Sequence, residues 1–498
     1  MSTAQAVKPP RPTYGNFIPQ RSPGLGNVGM LGMAVGMGGA VLAIFAMILG
    51  GLQAMLPVAA IVVVLFLITG TPLGIFLAEV IGFMRSKRAA ENQWRSGVFS
   101  FNSDPSVRLP GVLGTTTLLT RKDVFGGEFV VVKNPHRGGL YTVIVRCMAE
   151  GPSMQDQDQI NNWVAGWGAV LTNSSQEHGL VCAKAISDTA PDPGGRLEAQ
   201  VSSQRSKSSP AVADAVMDQI VASYPAASSD NVTYVEFTYR GRALSKRGRD
   251  DEILSELARK VPGMMGLVEQ AGGGSVEMLD ASSLTKIVRS AYDPAAQKWI
   301  EQGELAGIES DLTWKDAGPV ADQNLWDRYI HDSGVSVTWE MREPPRAAVH
   351  ELALSGLMYP HRDFVRKRVA LLYRPHTPEE AMKTADRDAQ TATFVATSGG
   401  KRKVSARARL VERATEQTRG EIAEGHSLVR FSMLITATVS SSEDLQQAVS
   451  TIEGRAGAAQ LRLRRSFGSQ APGFAATLPV GMVPWEHTVV PTKVMEMM

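Results

Sequence analysis

From Ser22 to Ala78 the chain carries no charged residue. In water such a run would have to be buried on every side, whereas a bilayer accommodates it as two helical passes of about 20 apolar residues each. It is far too long for the core of a secretory signal, and no small-residue cleavage site follows it. Gly50, Gly51, Gln53 and Pro57 mark a turn, which predicts one helix over Val28–Leu49 and a second over Leu56–Phe76. Arg21, with Lys8 and Arg11, flanks one end of the run, and Arg85, Lys87 and Arg88 flank the other. By the positive-inside rule both termini are expected in the cytoplasm, giving a multi-pass hairpin in the plasma (inner) membrane. Gly32-x-x-x-Gly36 and Gly70-x-x-x-Gly74 supply small-residue faces on which membrane helices pack closely. Gly24-Leu-Gly26-Asn-Val-Gly29 fits the dinucleotide fingerprint, but Gln20-Arg-Ser-Pro23 stands where that motif needs a strand. No nucleotide site is expected there.

Beyond Arg88 the sequence is that of a globular protein. The whole chain's formal charge of +2 names no partner, and its two cysteines, Cys147 and Cys182, read as core thiols of a reducing compartment. Phe129–Val132 and Tyr141–Met148 predict a hairpin around Asn134–Gly139, followed by a helix over Gln155–Leu171 and strands at Leu180–Ile186 and Val232–Tyr239. Ser187–Ser209 reads as an exposed loop, Ala211–Ala222 as a helix, and Asp250–Lys298 as mainly helical with a break at Ala271–Gly274. Strands are then expected at Val335–Met341, Val349–Leu357, Val365–Tyr373, Leu428–Val439 and Gln460–Arg465. Helices fall at Pro378–Ala392, Lys401–Ala423 and Ser442–Gly454, the last capped by Ser442. The fold class is α+β: a transmembrane hairpin, then two sheet-and-helix units with the helices on one face of each sheet. The expected segments are a basic N-terminus (1–27), the hairpin (28–80), a first unit (81–240), a helical connector (241–330), a second unit (331–485) and a tail (486–498).

Chemistry-bearing motifs are missing from these residues. Ser398-Gly-Gly-Lys401-Arg402 lacks both the first glycine and the closing Ser or Thr of a P-loop, and His350-Glu351 lacks the second histidine of a zinc helix, since Leu354 stands there. No G-x-S-x-G elbow occurs, and histidines and cysteines fall at no metal-ligand spacing. Neither an enzyme nor a cofactor is expected. Lys401, Arg402, Lys403, Arg407 and Arg409 form the densest basic run and are the candidates for nucleic-acid or partner contact. The acids Glu412, Glu416, Glu421 and Glu424 follow and favour a solvated, salt-bridged helix instead. Arg362, Arg366, Lys367 and Arg368 form a smaller cluster read in the same way.

One resemblance gives the arrangement a context. Arg21-Ser-Pro-Gly-Leu-Gly26 before the apolar run, Leu371-Leu-Tyr-Arg-Pro375, Leu428–Val439, Ser442–Leu445 and Leu463–Pro479 together resemble an actinobacterial family of membrane proteins associated with conjugative type IV secretion. Residues after about 100 look like the amino-terminal domain of the conjugation-system ATPase, through Glu443-Asp-Leu445, Gln470, Phe474 and Leu478-Pro479. The hairpin is similar to that of the ATPase's small membrane partner subunit. In those ATPases a P-loop motor follows; none is present in these residues, so ATPase activity is not carried over. The resemblance implies a non-catalytic scaffold in a DNA-transfer or protein-transport channel. Its partners would be a separate P-loop ATPase and other secretion-channel subunits, in a homo- or hetero-oligomer, with direct DNA contact left open. A structural membrane subunit of an actinobacterial type VII secretion complex and a DNA-contacting accessory protein of conjugation are the alternatives.

Overall fold

The structure, a computed structural model, describes residues 14, 15, 17, 24, 25 and 28–488, apart from 71, 97–99, 101–107, 150, 154, 193–194, 207, 228, 309, 346 and 398–405. The glycine fingerprint forms a minute antiparallel ribbon, Gly24 opposite Gly29 and Leu25 opposite Val28, and not the strand-to-helix turn of a dinucleotide site. An apolar helix, α1 (Met30–Gly70), comes next. Its segment Ala34–Phe66 is long and apolar enough to cross a membrane, and of its residues only Gly39 is buried in the protein. The helix starts at Met30 instead of Val28 and runs through the expected turn to Gly70, while the last residues of the second expected pass, up to Phe76, fall in the next helix. Gly51 interrupts it with φ 66 and ψ −163, a backbone conformation that glycine adopts without steric cost. A Cβ placed on Gly39 would stand 2.1 Å from Val62 Cγ1, and one on Gly36 3.2 Å from the Phe66 ring. After residue 71 comes α2 (Pro72–Arg88).

The rest of the chain builds one 13-stranded sheet. Its elements are β1 (Gln93–Arg95), β2 (Thr117–Lys122), β3 (Glu128–Asn134), β4 (Leu140–Met148), α3 (Gln157–Gln176), β5 (Leu180–Pro191), α4 (Gly195–Gln204), α5 (Ala211–Ala227) and β6 (Ser229–Arg240). They continue as α6 (Asp250–Val268), β7 (Ser275–Met278), α7 (Ala281–Tyr292), α8 (Ala296–Leu305), β8 (Ala321–Asn324), β9 (Tyr329–His331), β10 (Gly334–Glu343) and β11 (Arg366–Pro375). The last are α9 (Pro378–Thr397), α10 (Ala406–Ala423), β12 (Val429–Val439), α11 (Leu445–Ala458), β13 (Arg462–Arg465) and α12 (Gln470–Ala476). The strand order is β1-β8-β9-β10-β12-β11-β5-β6-β4-β3-β2, with β13 added to β10 and β7 to β4.

This order contains the same topology twice. In the first half a meander β2-β3-β4 leads through α3 to β5, through the helical pair α4–α5 to β6, and through α6 to β7. The second half repeats it as β8-β9-β10, β11, α9–α10, β12, α11 and β13. Each half is a split β-α-β unit, because β6 inserts between β4 and β5 as β12 does between β10 and β11. The registers repeat as well: Thr142 faces Thr238 across β4 and β6, as Ser336 faces Thr438 across β10 and β12. The halves meet at the antiparallel pair β5–β11, with Ile186 opposite Ala370. The two expected units therefore share a continuous sheet.

Both faces of that sheet are covered, which corrects the expectation of helices on one face. On one face α3 and α6 pack on Phe129, Val131, Val143, Val145, Val235 and Phe237. On the same face α11 packs on Val337, Trp339, Ile435 and Ala437 of the second half. The opposite face is covered by α7 and by the segment from α12 to Val483. Other elements differ locally from the sequence reading. Ser187–Ser209 is no open loop, because β5 runs on to Pro191, paired with β11 as far as Thr189 and with β6 to its end, and α4 follows. The Ala271–Gly274 break falls on a π turn over Glu269–Gly273, and beyond it the chain forms β7, paired with β4. Val349–Leu357 makes turns and a short helix at Ser355–Met358, in keeping with its leucines and alanines, and only Val349 bridges another residue, Tyr14. Helix α11 begins at Leu445 with Asp444 at its N-cap, while Ser441 Oγ donates to Asp444 and Ser442 does not cap.

Candidate functional site

Residues 470–488 act as a strap across the second sheet face. From Phe474 to Val483 every residue is buried although only α12 is regular, so the carbonyls of an irregular segment need donors from the sheet. Lys184 of β5 provides them: its Nζ donates to the carbonyls of Ala476 (3.2 Å), Leu478 (3.2 Å) and Met482 (3.5 Å). The same ammonium lies 2.7 Å from Glu236 Oε2 on β6, and both side chains are closed to solvent. Glu236 Oε1 accepts the Gly481 N–H at 3.2 Å. Burial pushes the Glu236 carboxyl above its ordinary pKa, against the pull of Lys184. Gly481 has φ 68, and a Cβ there would lie 2.0 Å from Thr142 Oγ1, so the close approach requires glycine.

Arg368 of β11 occupies the place in the second half that Lys184 holds in the first, each lying on the central strand opposite the third one in register. The cross-strand partner of Lys184 is Glu236; that of Arg368 is Thr436. On its other side Arg368 lies opposite Asp188 of β5, but that carboxylate makes its two-pronged bond to Arg366, so Arg368 has no acid hydrogen-bonded to it. Its guanidinium sits 4.5 Å from the Phe474 ring centroid and its Nε donates to Thr477 Oγ1 at 3.3 Å, while Nη1 and Nη2 have no hydrogen-bond acceptor. Burial lowers its pKa to about 10. Next to it, Arg366 makes a two-pronged bond to Asp188, Nε to Oδ1 at 2.9 Å and Nη2 to Oδ2 at 2.7 Å. Lys367 points to the other face, donates to the Tyr359 carbonyl, and has its pKa lowered to about 7 by burial. This overturns the reading of Arg366, Lys367 and Arg368 as a solvated cluster; only Arg362 of the four is exposed.

The seam continues to His331, fully buried between Tyr292 and Ser336. Its Nδ1 donates to the Tyr292 carbonyl at 2.5 Å, so its Nε2 accepts from Ser336 Oγ at 2.7 Å, and burial lowers the ring's pKa to about 4. At the far end His487 stacks on His136 with ring centroids 4.6 Å apart, and Arg240 pairs with Glu486 at 2.8 Å. The strap thus stitches both halves of the sheet with fixed ionic and hydrogen-bonding contacts. Cys147 and Cys182 are free and buried as expected, each thiol pushed up to about 12 by burial. Among the described residues no group of three His, Cys, Asp or Glu side chains converges at metal-binding range.

A second feature joins α2 to this sheet. Arg464 of β13 pairs with Glu79, and the Phe83 ring meets Trp326 edge-on at 5.4 Å, with Phe76 at 6.3 Å. Phe467 stacks on the same indole at 5.9 Å. On the N-terminal side of α1, Tyr14 exchanges two backbone hydrogen bonds of 2.8 Å with Val349, and Phe17 packs edge-on against Phe431 at 5.5 Å. Both flanks of the apolar helix therefore touch the second half of the sheet.

The expected site residues are dispersed among these elements. Gly36 faces Phe66 of its own chain, while Gly32, Gly70 and Gly74 lie in α1 and α2. Arg85, Lys87 and Arg88 form the last turn of α2, where cations complement the helix dipole. Arg21, Lys401, Arg402 and Lys403 lie outside the described residues, Arg407 falls in α10, and Arg409 is exposed on it. The sequence reading missed Lys184, Glu236 and the Trp326 cluster; the one signal for the first two was a lone charge inside each otherwise uncharged strand run, Leu180–Ile186 and Val232–Tyr239.

No protein-family model matches this chain, and no curated protein matches it.

Proposed function

We propose that the protein is a non-catalytic, membrane-anchored scaffold of a conjugative type IV secretion apparatus, docking a separate P-loop ATPase on its cytoplasmic sheet. The observation that carries this reading is the junction of α2 with the sheet, through Glu79–Arg464 and the aromatic cluster at Trp326. A flexible tether would merely localise a soluble domain. A buttressed junction makes the span and the 13-stranded sheet move together, as a component transmitting motion from an ATPase requires.

The hairpin topology belongs to the same proposal. A straight helix of α1's length would hold its ends about 60 Å apart at 1.5 Å per residue. Yet Tyr14 and Phe17 on one flank, and Glu79 and Phe83 on the other, contact the same half of the sheet. Gly51 offers the turn, and the Gly39–Val62 and Gly36–Phe66 approaches support two antiparallel passes with both termini on one side. Deleting residues 22–78 should move the protein to the soluble fraction. A deletion variant that still sediments with membranes would contradict the anchor.

A further inference from the structure

A cleft of about 450 Å³ lies beside α2, lined by Phe83, Lys87, Asn92, Gln93, Trp326 and Arg328 among others. We propose that it binds the headgroup of an anionic phospholipid, with α2 lying along the membrane surface from which the span emerges. The proposal rests on the membrane-anchor reading and adds a ligand to it.

Three observations converge on a lipid. First, α2 is two-faced. Phe76, Glu79, Phe83 and Lys87 recur at helical spacing on the side of Trp326 and the cleft, whereas Leu77, Ile81 and Met84 stay exposed at i, i+4 and i+7. That exposed stripe follows directly on the unburied apolar span, so the medium that covers α1 is the natural cover for it. Second, the last turn of α2 is Arg85, Lys87 and Arg88, placing three cations at the stripe's end, where anionic headgroups attract them. Third, the cleft has the donors a phosphodiester needs: the Lys87 ammonium, the Arg328 guanidinium, and the side-chain amides of Asn92 and Gln93. Asp327, which also lines the cleft, holds Arg328 through Nε at 3.1 Å and Nη2 at 2.9 Å, fixing the plane of the guanidinium and offsetting its charge, so that Lys87 supplies the cleft's net positive charge. Trp326 on the cleft wall is the residue type that favours the headgroup layer, with an apolar body and a polar N–H.

The test uses the full-length protein in proteoliposomes containing brominated phosphatidylglycerol or brominated phosphatidylcholine, each of which quenches nearby tryptophan. The Trp326→Phe variant subtracts the signal of the other tryptophans. Half-maximal quenching of the Trp326 component should occur at about a fivefold lower mole fraction of the anionic lipid for each cation in contact. Lys87→Gln and Arg328→Gln should each reduce that preference, and Lys87→Arg should keep it. Equal quenching by both lipids overturns the proposal. So does an absence of quenching while the protein stays in the vesicles. Soluble glycerol phosphate that abolishes the preference would reassign the cleft to a free phosphomonoester. A protein that fails to enter vesicles at all would instead overturn the anchor reading.

Discussion

At the scale of single residues, the two buried cations of the seam should behave in opposite ways. Lys184 is matched by Glu236 and by three carbonyls, so Lys184→Met would strand a buried carboxylate and leave the strap without donors. Removal of one partner of such a pair costs about 3–5 kcal/mol, read as a lowered denaturation midpoint. Arg368 has two orphaned nitrogens, so Arg368→Met should be neutral or stabilising, by about 1 kcal/mol or more. Equal losses in the two variants would refute the distinction. His331 gives a pH dependence with a definite sign. The unfolded ring takes a proton below about pH 6.5, whereas the native ring resists it until about 4. Its contribution is complete above pH 6.5 and fades as pH falls toward 4, by on the order of 3 kcal/mol. Asp322, raised to about 6 by burial, works the other way over part of that window, so the comparison must be differential. The thermal midpoint of the wild type minus that of His331→Gln should shrink from pH 7 to pH 4.5; a constant difference would contradict the assignment.

Among secondary-structure elements, the strap and the junction are the parts on which the architecture turns. Gly481→Ala would combine a strained positive φ with a clash on Thr142, for about 3 kcal/mol or more of lost stability in chemical denaturation. At the junction, Arg464→Ala with Trp326→Ala should raise amide hydrogen exchange in residues 79–88 while leaving β5 and β11 protected. Unchanged exchange there would show that α2 is held by something else. Most strands and the long helices were legible in the sequence, because β-branched runs and helical spacing report local structure. The strap was not. Its strands carry Lys184, Asp188, Glu236, Thr436 and Thr438 at alternate positions, a pattern that ordinarily marks a solvated face. Here the polar face is buried, because an irregular backbone segment needs it. The Arg366-Lys367-Arg368 run misled for the same reason: charge in a strand was taken for surface, and the acid that fixes Arg366 lies far away in sequence at Asp188. The duplication was hidden because the halves share registers and not residues, Thr436 standing where the other half has Glu236.

Across the whole molecule, a twofold-repeated sheet is sealed on one face by helices and on the other largely by its own C-terminal strap, and it is fastened at one edge to an apolar span. That leaves the helical pairs α4–α5 and α9–α10, which each half inserts between its second and third core strands, as the exposed outgrowths of the repeat. On α5 the side chains of Val212, Val216 and Ile220 remain exposed at i, i+4 and i+8. The hairpin reading predicts that single cysteines introduced before residue 21 and after residue 488 are both shielded from a membrane-impermeant thiol reagent in intact cells, and both react once the cells are opened. Labelling of one end alone in intact cells would require a single pass. The scaffold reading itself is tested most directly by affinity purification of the full-length protein from native membranes in mild detergent, with mass spectrometry of what accompanies it. The account predicts a P-loop ATPase of conjugation type at near-stoichiometric abundance. A protein recovered intact with its membrane partners but without any such ATPase would contradict it.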